Sequence, residues 1–260
     1  MMNLFNTILM RRVASSVIGA VLAGQSLAAQ EAPQAIVLEE GWNAVWLEVE
    51  PRYVSGETVQ SETGPQVLAA SDRRVGLAKA PQDVFANPVV LEIATPRPLV
   101  GTAETFSGEP GRAGNFNQEE WLQWKRVDVA GQNNLLSISG NQPYLIKSSG
   151  SATIRLTGRA KFFRHTWTPD RYNLVGFGLG GTPTFDEFFG PSGATHPVSK
   201  IFTLDASTGN WRRATPGQSM VSGQAYWVFS SGISRYQGPV SVDFDLASRG
   251  VLNFSGPSDA

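Results

Sequence analysis

Apolar and polar positions alternate in short runs along most of the chain, and glycine, proline and small polar residues separate these runs. Within residues 36–50, Val45, Leu47 and Val49 alternate with Trp46 and two glutamates. A period of two places neighbouring side chains on opposite faces of a strand. Turn signals recur about every 8–12 residues, which is typical of sandwiches and barrels. The pattern predicts an all-β fold of short antiparallel strands with very little helix.

Two stretches of the chain are near-copies of two others. Residues 142–150 read QPYLIKSSG and residues 224–232 read QAYWVFSSG, with Gln, Tyr, Ser, Ser and Gly identical. Upstream of these, residues 42–47 (WNAVWL) match residues 172–177 (YNLVGF) in the same order. Self-similarity of this kind indicates repeated structural units. We therefore predict two tandem homologous modules of the β-sandwich or barrel type.

The first predicted module covers residues 34–158 and the second covers residues 159–243. Residues 52–79 are polar and rich in Ser, Thr, Glu and Gly, so we expect a long surface loop in the first module, with at most one weak hairpin. A half-buried strand is predicted over residues 240–244. The tail, residues 244–260, is either a strand that pairs with an edge of the second module or the beginning of a further domain.

Two short helical turns are expected, one in each module. They are predicted at residues 81–86 and 182–189, and either Thr182 or Thr184 is suited to cap the second one. Residues 89–93 form an apolar run flanked by prolines, which predicts a strand at the edge of a sheet.

The N-terminus has the pattern of a secretory signal peptide. An arginine pair at positions 11–12 precedes an uncharged apolar run over residues 13–24, and small residues follow. We predict that residues 1–28 are removed by cleavage after Ala28, with cleavage after Ala29 as the alternative. Because the apolar run is too short to cross a bilayer, we expect no stable membrane span after cleavage. The mature chain is expected in the periplasm, at the cell surface or outside the cell.

Composition narrows the possible partners. The chain has no cysteine, so stability must come from packing, and 7 Trp, 14 Phe and 5 Tyr are available for it. The formal net charge is −1, with 21 basic and 22 acidic residues and no basic run, so nucleic acid is not expected as a partner. With no cysteine and only 2 histidines, we expect no zinc site and no cofactor.

The sequence does not display a catalytic constellation. His165 and His196 lie in different segments, and each is expected to face solvent. No Gly-x-Ser-x-Gly elbow is present, so we predict no enzyme and no catalytic residues. Residues 205–210 (DASTGN) carry oxygen ligands that suit calcium, but a hairpin loop whose Asp and Ser bond their own backbone is the favoured alternative. No metal ligands are assigned.

Tryptophans are the candidates for a binding surface, because flat apolar rings stack on the C–H faces of sugars. Five of them are candidates: Trp46, Trp121, Trp124, Trp211 and Trp227. Trp42 and Trp227 lie in the repeated strands and are expected in the core. Trp46 lies on the face opposite to Val45 and Leu47, so it is expected to point outward. The predicted binding residues are therefore Trp46, with Trp121 and Trp124 as the second choice.

An opening Gly-Trp-Asn, a Val-Phe turn, a Trp-bearing hairpin and a closing Tyr-Trp-Val strand resemble a module of secreted and surface proteins of bacteria. That module reads roughly "GWNLVSLP … GxGYWV". The matching residues are Gly41, Trp42, Asn43, Leu47 and Tyr144 in the first copy, and Tyr172, Asn173, Leu174, Val175, Gly176, Phe177, Gly223, Tyr226, Trp227 and Val228 in the second. The first copy departs from the pattern in its long loop and in Asn141, which replaces a glycine. The resemblance implies export and an accessory role, and it implies no catalytic residue.

Three functions remain open from the sequence. The first is a non-catalytic exported segment that is structural, adhesive or interacting, in the cell envelope or extracellular space, with envelope or surface proteins as partners. The second is a carbohydrate-binding module that holds polysaccharide on exposed tryptophans. The third is a hydrolase with an unrecognised site.

Overall fold

The computed structural model describes residues 31–61, 64–97, 108–114, 116, 119–127, 131–161, 164–179 and 181–238. The predicted signal peptide, the strand at 240–244 and the tail at 244–260 lie outside the described residues. Within them, the chain consists mainly of strands arranged in four antiparallel sheets, with two very short α-helices. The prediction of an all-β fold with very little helix is therefore confirmed.

The strands are β1 (Glu31–Leu38), β2 (Gly41–Leu47), β3 (Val49–Glu50), β4 (Thr58–Ser61), β5 (Gly64–Val67), β6 (Val90–Pro96), β7 (Trp121–Lys125), β8 (Gln142–Ser148), β9 (Ala152–Ala160), β10 (Arg171–Gly176), β11 (Ile201–Leu204), β12 (Trp211–Arg213) and β13 (Ala225–Ser230). The helices are α1 (Pro81–Val84) and α2 (Phe185–Phe189), and two single 3₁₀ turns follow α2 at Gly190–Ser192 and Val198–Lys200.

Two sheets of four strands have the same strand order. In the first sheet the order is β2-β8-β6-β7, and in the second sheet it is β10-β13-β11-β12. In each sheet, the first strand in sequence order pairs with the last one, and the last one also pairs with the second. A third sheet, β1-β9-β3, and the hairpin β4-β5 belong only to the first part of the chain. That the two sheets are homologous modules stays a prediction, which the shared strand order supports.

The repeated tyrosines make the same pair of hydrogen bonds in both sheets. The Tyr144 hydroxyl accepts from the Ser139 backbone N–H at 2.8 Å and donates to the Ser139 carbonyl at 3.1 Å. The Tyr226 hydroxyl does the same with Val221, at 2.7 and 3.1 Å. Each buried ring therefore fastens the turn that precedes its own strand, and each satisfies two backbone groups that would otherwise lack partners.

We expect Tyr226→Phe to lower the free energy of unfolding by about 1–3 kcal/mol, because the backbone N–H and carbonyl of Val221 lose their buried partner. Tyr144→Phe should produce a loss of the same size through Ser139. Urea denaturation followed by tryptophan fluorescence measures both. Unchanged midpoints in both variants would show that the two hydroxyls do not hold these turns.

The repeated asparagines and serines also act alike. Asn43 Oδ1 accepts from the Glu39 backbone N–H at 2.9 Å, and Asn173 Oδ1 accepts from that of Thr168 at 2.8 Å. The hydroxyls of two serines donate to carbonyls two residues further on, at 2.6 and 3.0 Å; these pairs are Ser148 with Gly150 and Ser230 with Gly232. The repeated asparagines thus build the turns before the edge strands β2 and β10, and the repeated serines build the turns after the inner strands β8 and β13.

Helix α2 begins with a capping box. The Thr184 hydroxyl accepts from the Glu187 backbone N–H at 3.2 Å, and the Glu187 carboxylate accepts from the Thr184 backbone N–H at 2.8 Å. Of the two threonines suggested as caps, Thr184 is the one used. The helix is short, but Phe185 and its two other phenylalanines are fully buried, so tertiary packing stabilises it.

Two local predictions need correction or refinement. Strand β6 lies between β8 and β7 rather than at an edge, and its proline is its last residue, where a missing N–H is tolerated. The polar stretch at 52–79 does contain a hairpin, β4-β5, but it also has a small core of its own formed by Tyr53, Val59 and Leu68. The stretch is therefore a folded appendage and not only a solvated loop.

Candidate functional site

The first and second sheets pack against each other through a layer of buried side chains, half of them aromatic, which we call the seam. The buried residues of the seam are Trp42, Ala44, Trp46, Ala94, Ala113, Trp121, Leu145, Tyr172, Leu174, Phe202, Ala225 and Trp227. Phe116, Leu204, Trp211 and Phe229 pack against this cluster and are half-buried. Aromatic side chains bury roughly 150–250 Å² each, so the seam is a second core between the sheets.

Backbone hydrogen bonds join the outer edge of β2 to loops of the second sheet. The Trp42 N–H donates to the Ala206 carbonyl at 3.0 Å, and the Trp46 N–H donates to the Gly223 carbonyl at 2.8 Å. β2 is the edge strand of its sheet, and an uncovered edge is a template for unwanted pairing. The loops of the second sheet therefore cover this edge and hold the two sheets in a fixed relation.

The prediction that Trp46 faces outward is wrong. Its side chain is only 4% exposed, and it packs directly on Gly176. A Cβ atom at Gly176 would lie 2.3 Å from the Trp46 Cβ atom, so only glycine permits this approach. The alternation that placed Trp46 opposite to Val45 is real, but the second sheet covers that opposite face.

Trp121 and Trp124 are also buried, at 5% and 7% exposure, and they lie on opposite faces of β7. Trp121 belongs to the seam, together with Trp46. Trp124 belongs to the core on the other side of the first sheet, where the Arg126 guanidinium lies 5.4 Å from its ring centroid. The structure therefore brings Trp46 and Trp121 into one cluster and leaves Trp124 out of it. The expectation that Trp42 and Trp227 are core residues is confirmed.

A cavity of about 140 Å³ lies among residues of the seam. We call it the seam cavity. Trp121 and Leu145 of the first sheet line it, and so do three aromatic residues of the second sheet: Tyr172, Trp211 and Trp227. Gly108, residues 110–113 and Phe116 complete its wall. Trp211 is the half-buried tryptophan of this set, because it lies on the edge strand β12.

Charged and hydroxyl groups surround the aromatic lining of the seam cavity. Arg112 is part of the lining. Glu109, next to the lining residues Gly108 and Pro110 in the chain, forms an ion pair with Arg213 of β12. Burial raises the pKa of the Tyr172 hydroxyl, and the Glu109 carboxylate raises it further. The tyrosine is therefore a neutral hydrogen-bonding group at ordinary pH.

The hairpin loop at residues 205–210 is a structural element, as the favoured alternative predicted. Asp205 Oδ1 accepts from the Ser207 hydroxyl at 2.7 Å and from the Thr208 backbone N–H at 3.0 Å. These bonds and Arg212 hold the pKa of the Asp205 carboxyl below its usual value, although burial raises it in part. The same loop accepts a hydrogen bond from Arg112 Nε to the Thr208 carbonyl at 2.9 Å. It therefore positions Arg112 at the seam cavity.

The expectation that both histidines face solvent is wrong. His196 is fully buried, and its ring nitrogens lie 3.1 Å from the Phe229 carbonyl and 2.7 Å from the Ser234 hydroxyl. His165 is half-buried, with its ring centroid 5.3 Å from that of Trp46 and 4.9 Å from that of Phe177. Burial lowers the pKa of both, and it lowers that of His165 to about 4. Both rings are therefore neutral packing groups at ordinary pH.

The lowered pKa of His165 predicts a loss of stability in acid. Its folded-state pKa of about 4 lies below the ordinary 6.5, so the unfolded chain binds the proton first. Stability should fall as the pH drops from about 6.5 to 4, by up to about 1.4 kcal/mol per pH unit from this residue. Urea midpoints across this range should fall less steeply in His165→Gln than in the wild type. Equal slopes in the two proteins would contradict the assignment.

Glu48 is a half-buried carboxyl group between the sheets. Its Oε1 atom has no hydrogen-bond partner, and burial raises the pKa of the carboxyl despite a hydrogen bond with Ser222. The folded state therefore holds the Glu48 proton more tightly than the unfolded state does. The ionised form opposes folding at neutral pH. This opposition shrinks as the pH falls through the raised folded-state pKa and is absent below the unfolded-state pKa.

We expect Glu48→Gln to raise the free energy of unfolding by about 1 kcal/mol at pH 7, because an amide avoids the cost of burying the charge. The gain should shrink as the pH falls from the raised folded-state pKa toward 4.5, because the wild-type carboxyl takes up its proton there, and it should be absent well below 4.5. Thermal melting at pH 7 and pH 4 measures it. Glu39→Gln, at an exposed position, is the matched control and should change little. A Glu48→Gln variant that is less stable at pH 7 would contradict the prediction.

Comparison with known proteins does not place the chain in a family: no family model, no curated protein and no solved structure matches it. In the part of the chain that the structure describes, three or more His, Asp and Glu side chains nowhere come together as a metal site. Of the helices in that part, none has the length and hydropathy needed to traverse a bilayer.

Sequence reasoning missed most of the groups at the seam cavity. Trp211 and Trp227 were among the candidate binding residues, whereas Arg112, Tyr172 and Phe116 were not predicted to bind a ligand. Glycines and a proline surround Arg112 in the sequence, and this pattern predicts only a loop. One sequence signal pointed to Tyr172, which occupies the position that Trp42 has in the first repeat. Both positions carry an aromatic residue, and both side chains belong to the seam.

Proposed function

We propose that this chain is an exported, non-catalytic interaction segment of the cell envelope or extracellular space. The observation that carries the proposal is the seam. The two sheets are held together by a buried aromatic layer and by backbone hydrogen bonds from the edge strand β2. A body held in this way presents its loops and the seam cavity in a fixed geometry, which is what recognition on a β scaffold requires.

The groups that might have carried catalysis have structural roles in the fold. Both ring nitrogens of His196 are within hydrogen-bonding distance of internal partners, and His165 packs among aromatic rings. Asp205 holds its own hairpin. These contacts support a non-catalytic role. The N-terminal sequence pattern supports export, and the resemblance to a module of secreted bacterial proteins agrees with it.

The first test is export. We expect the full-length chain with a C-terminal tag, expressed in a bacterial host, to be recovered outside the cytoplasm with Ala29 at its N-terminus, or Gln30 if cleavage follows Ala29. Ile18→Asp puts a charge into the apolar run and should leave the chain uncleaved. N-terminal sequencing of the fractionated protein measures both. A full-length chain that keeps Met1 and stays in the cytosol would refute the proposal.

The second test is retention. Labelled mature protein, residues 29–260, should bind isolated cell envelopes of the producing bacterium saturably, and unlabelled protein should compete. Protease treatment of the envelopes distinguishes a protein partner from a polysaccharide. If the exported chain binds neither treated nor untreated envelopes, the interaction role is wrong.

The alternative function, carbohydrate binding, is favoured by the seam cavity rather than by an exposed Trp46. Aromatic rings beside hydrogen-bonding groups are the lining that sugar-binding sites need. The residues for this function differ from those expected from sequence. They are Trp211 and Arg112, with Trp121 as the shared member.

A further inference from the structure

The seam cavity presents aromatic rings in two orientations. The ring of Trp227 stands nearly perpendicular to that of Trp211, with centroids 6.1 Å apart, and nearly perpendicular to that of Trp121, with centroids 6.5 Å apart. Trp211 is only half-buried, so part of its surface is accessible from solvent. A ligand ring with an apolar face can therefore stack on Trp211 while its edge points toward Trp227.

The size of the cavity limits the ligand to one small ring. Sites for drug-sized molecules enclose roughly 300–1,000 Å³, whereas the seam cavity has about 140 Å³. Trp211 lies on the edge strand β12 and is only half-buried, so the rest of a longer ligand can extend from it into solvent. These dimensions suit one residue of a chain molecule rather than a large compact ligand.

The charge of the lining selects among possible rings. Among the described residues that line the cavity, Arg112 is the one with a charged side chain. The nearby Glu109 carboxylate is engaged by Arg213. A guanidinium pairs best with a carboxylate, which it can bind through two parallel hydrogen bonds. A cationic ligand, which an aromatic cage alone would accept, is opposed by Arg112.

We propose that the seam cavity binds one carboxylated sugar ring, a uronic acid residue of an acidic polysaccharide. The apolar face of the sugar stacks on Trp211, its carboxylate pairs with Arg112, and its hydroxyls lie near the Tyr172 hydroxyl. This inference rests on the proposed interaction role and names the ligand class for it.

The test is titration calorimetry on the mature chain, residues 29–260, with short oligomers of galacturonate, alginate and hyaluronan. Cellotriose serves as the neutral comparison and choline as the cationic one. We expect binding of at least one acidic oligomer, weakened by salt, and roughly tenfold or more weaker in Trp211→Ala and in Arg112→Gln. Arg155→Gln removes an exposed charge on β9, outside the cavity lining, and should bind as the wild type does.

Near-UV circular dichroism and melting temperature establish that each variant is folded before its affinity is compared. No binding of any acidic oligomer, equal binding of cellotriose, binding of choline, or an undiminished affinity in Arg112→Gln would each overturn the inference. These failures are distinguishable from failure of the proposed function, since an exported chain that binds envelopes saturably but ignores uronic acids keeps its interaction role.

Discussion

Replacing Trp46 by alanine should lower the free energy of unfolding by about 3–5 kcal/mol, the usual cost of removing a large buried aromatic side chain. The ring is almost fully buried between the two sheets and lies on Gly176. Its removal leaves a cavity at the seam. Because β2 and β10 already lie close together at Gly176, the two sheets can move little to fill this cavity. His165 also loses a ring contact.

Urea denaturation of the wild type and of Trp46→Ala measures this loss. The matched control is Trp211→Ala, which removes the same side chain from a half-buried position on the edge strand β12 and should cost about 1 kcal/mol. If Trp46→Ala costs no more than Trp211→Ala, the seam is not a core. The result also affects binding assays, because loss of binding in Trp46→Ala would reflect loss of structure.

Gly41→Ala should be the second severe substitution, with a loss of about 3 kcal/mol or more. Gly41 has a φ of +104°, which costs an L-residue about 1–2 kcal/mol. In addition, an added Cβ atom would lie 2.1 Å from the Ala206 carbonyl oxygen. That oxygen accepts the hydrogen bond of the Trp42 N–H, so relief of the overlap must displace the hairpin loop from β2. Such overpacking typically costs a further 1–3 kcal/mol or so.

Gly64→Ala is the matched control for this substitution. Gly64 has a similar φ of +113°, but nothing lies within 4 Å of an added Cβ atom. Its substitution therefore carries the backbone strain without the steric overlap, and we expect a loss of only about 1–2 kcal/mol. Thermal melting of both variants separates the two effects. Equal losses would show that the hairpin loop does not press on β2 as the structure has it.

Much of the local structure followed from sequence because it depends on local chemistry. The period-two alternation predicted strands, and the polar residues 205–210 predicted the hairpin between β11 and β12. The repeated Tyr, Asn and Ser letters mark positions with the same hydrogen bonds in both sheets. Each of these interactions joins residues close in sequence or in adjacent strands, so a pattern can reveal it.

The candidate site was much less predictable. Trp46 was expected on the surface because alternation tells which residues share a face, but it does not tell whether a second sheet covers that face. The same holds for His196, whose partners Phe229 and Ser234 are distant in sequence. The seam cavity joins Arg112 to Trp211 and Trp121, and no spacing rule relates these positions.

The sequence by itself determined the β class, the short strands, the capped helix α2 and the turns that the repeated letters build, because hydrogen bonding and side-chain alternation act over short separations. Only the tertiary structure decided which faces are buried. Trp46 in one repeat and Gly176 in the other occupy matching positions, and the bulk of the first fills the space left by the second. That complementarity exists only when the two sheets are brought face to face, since burial depends on what the rest of the chain places against a surface.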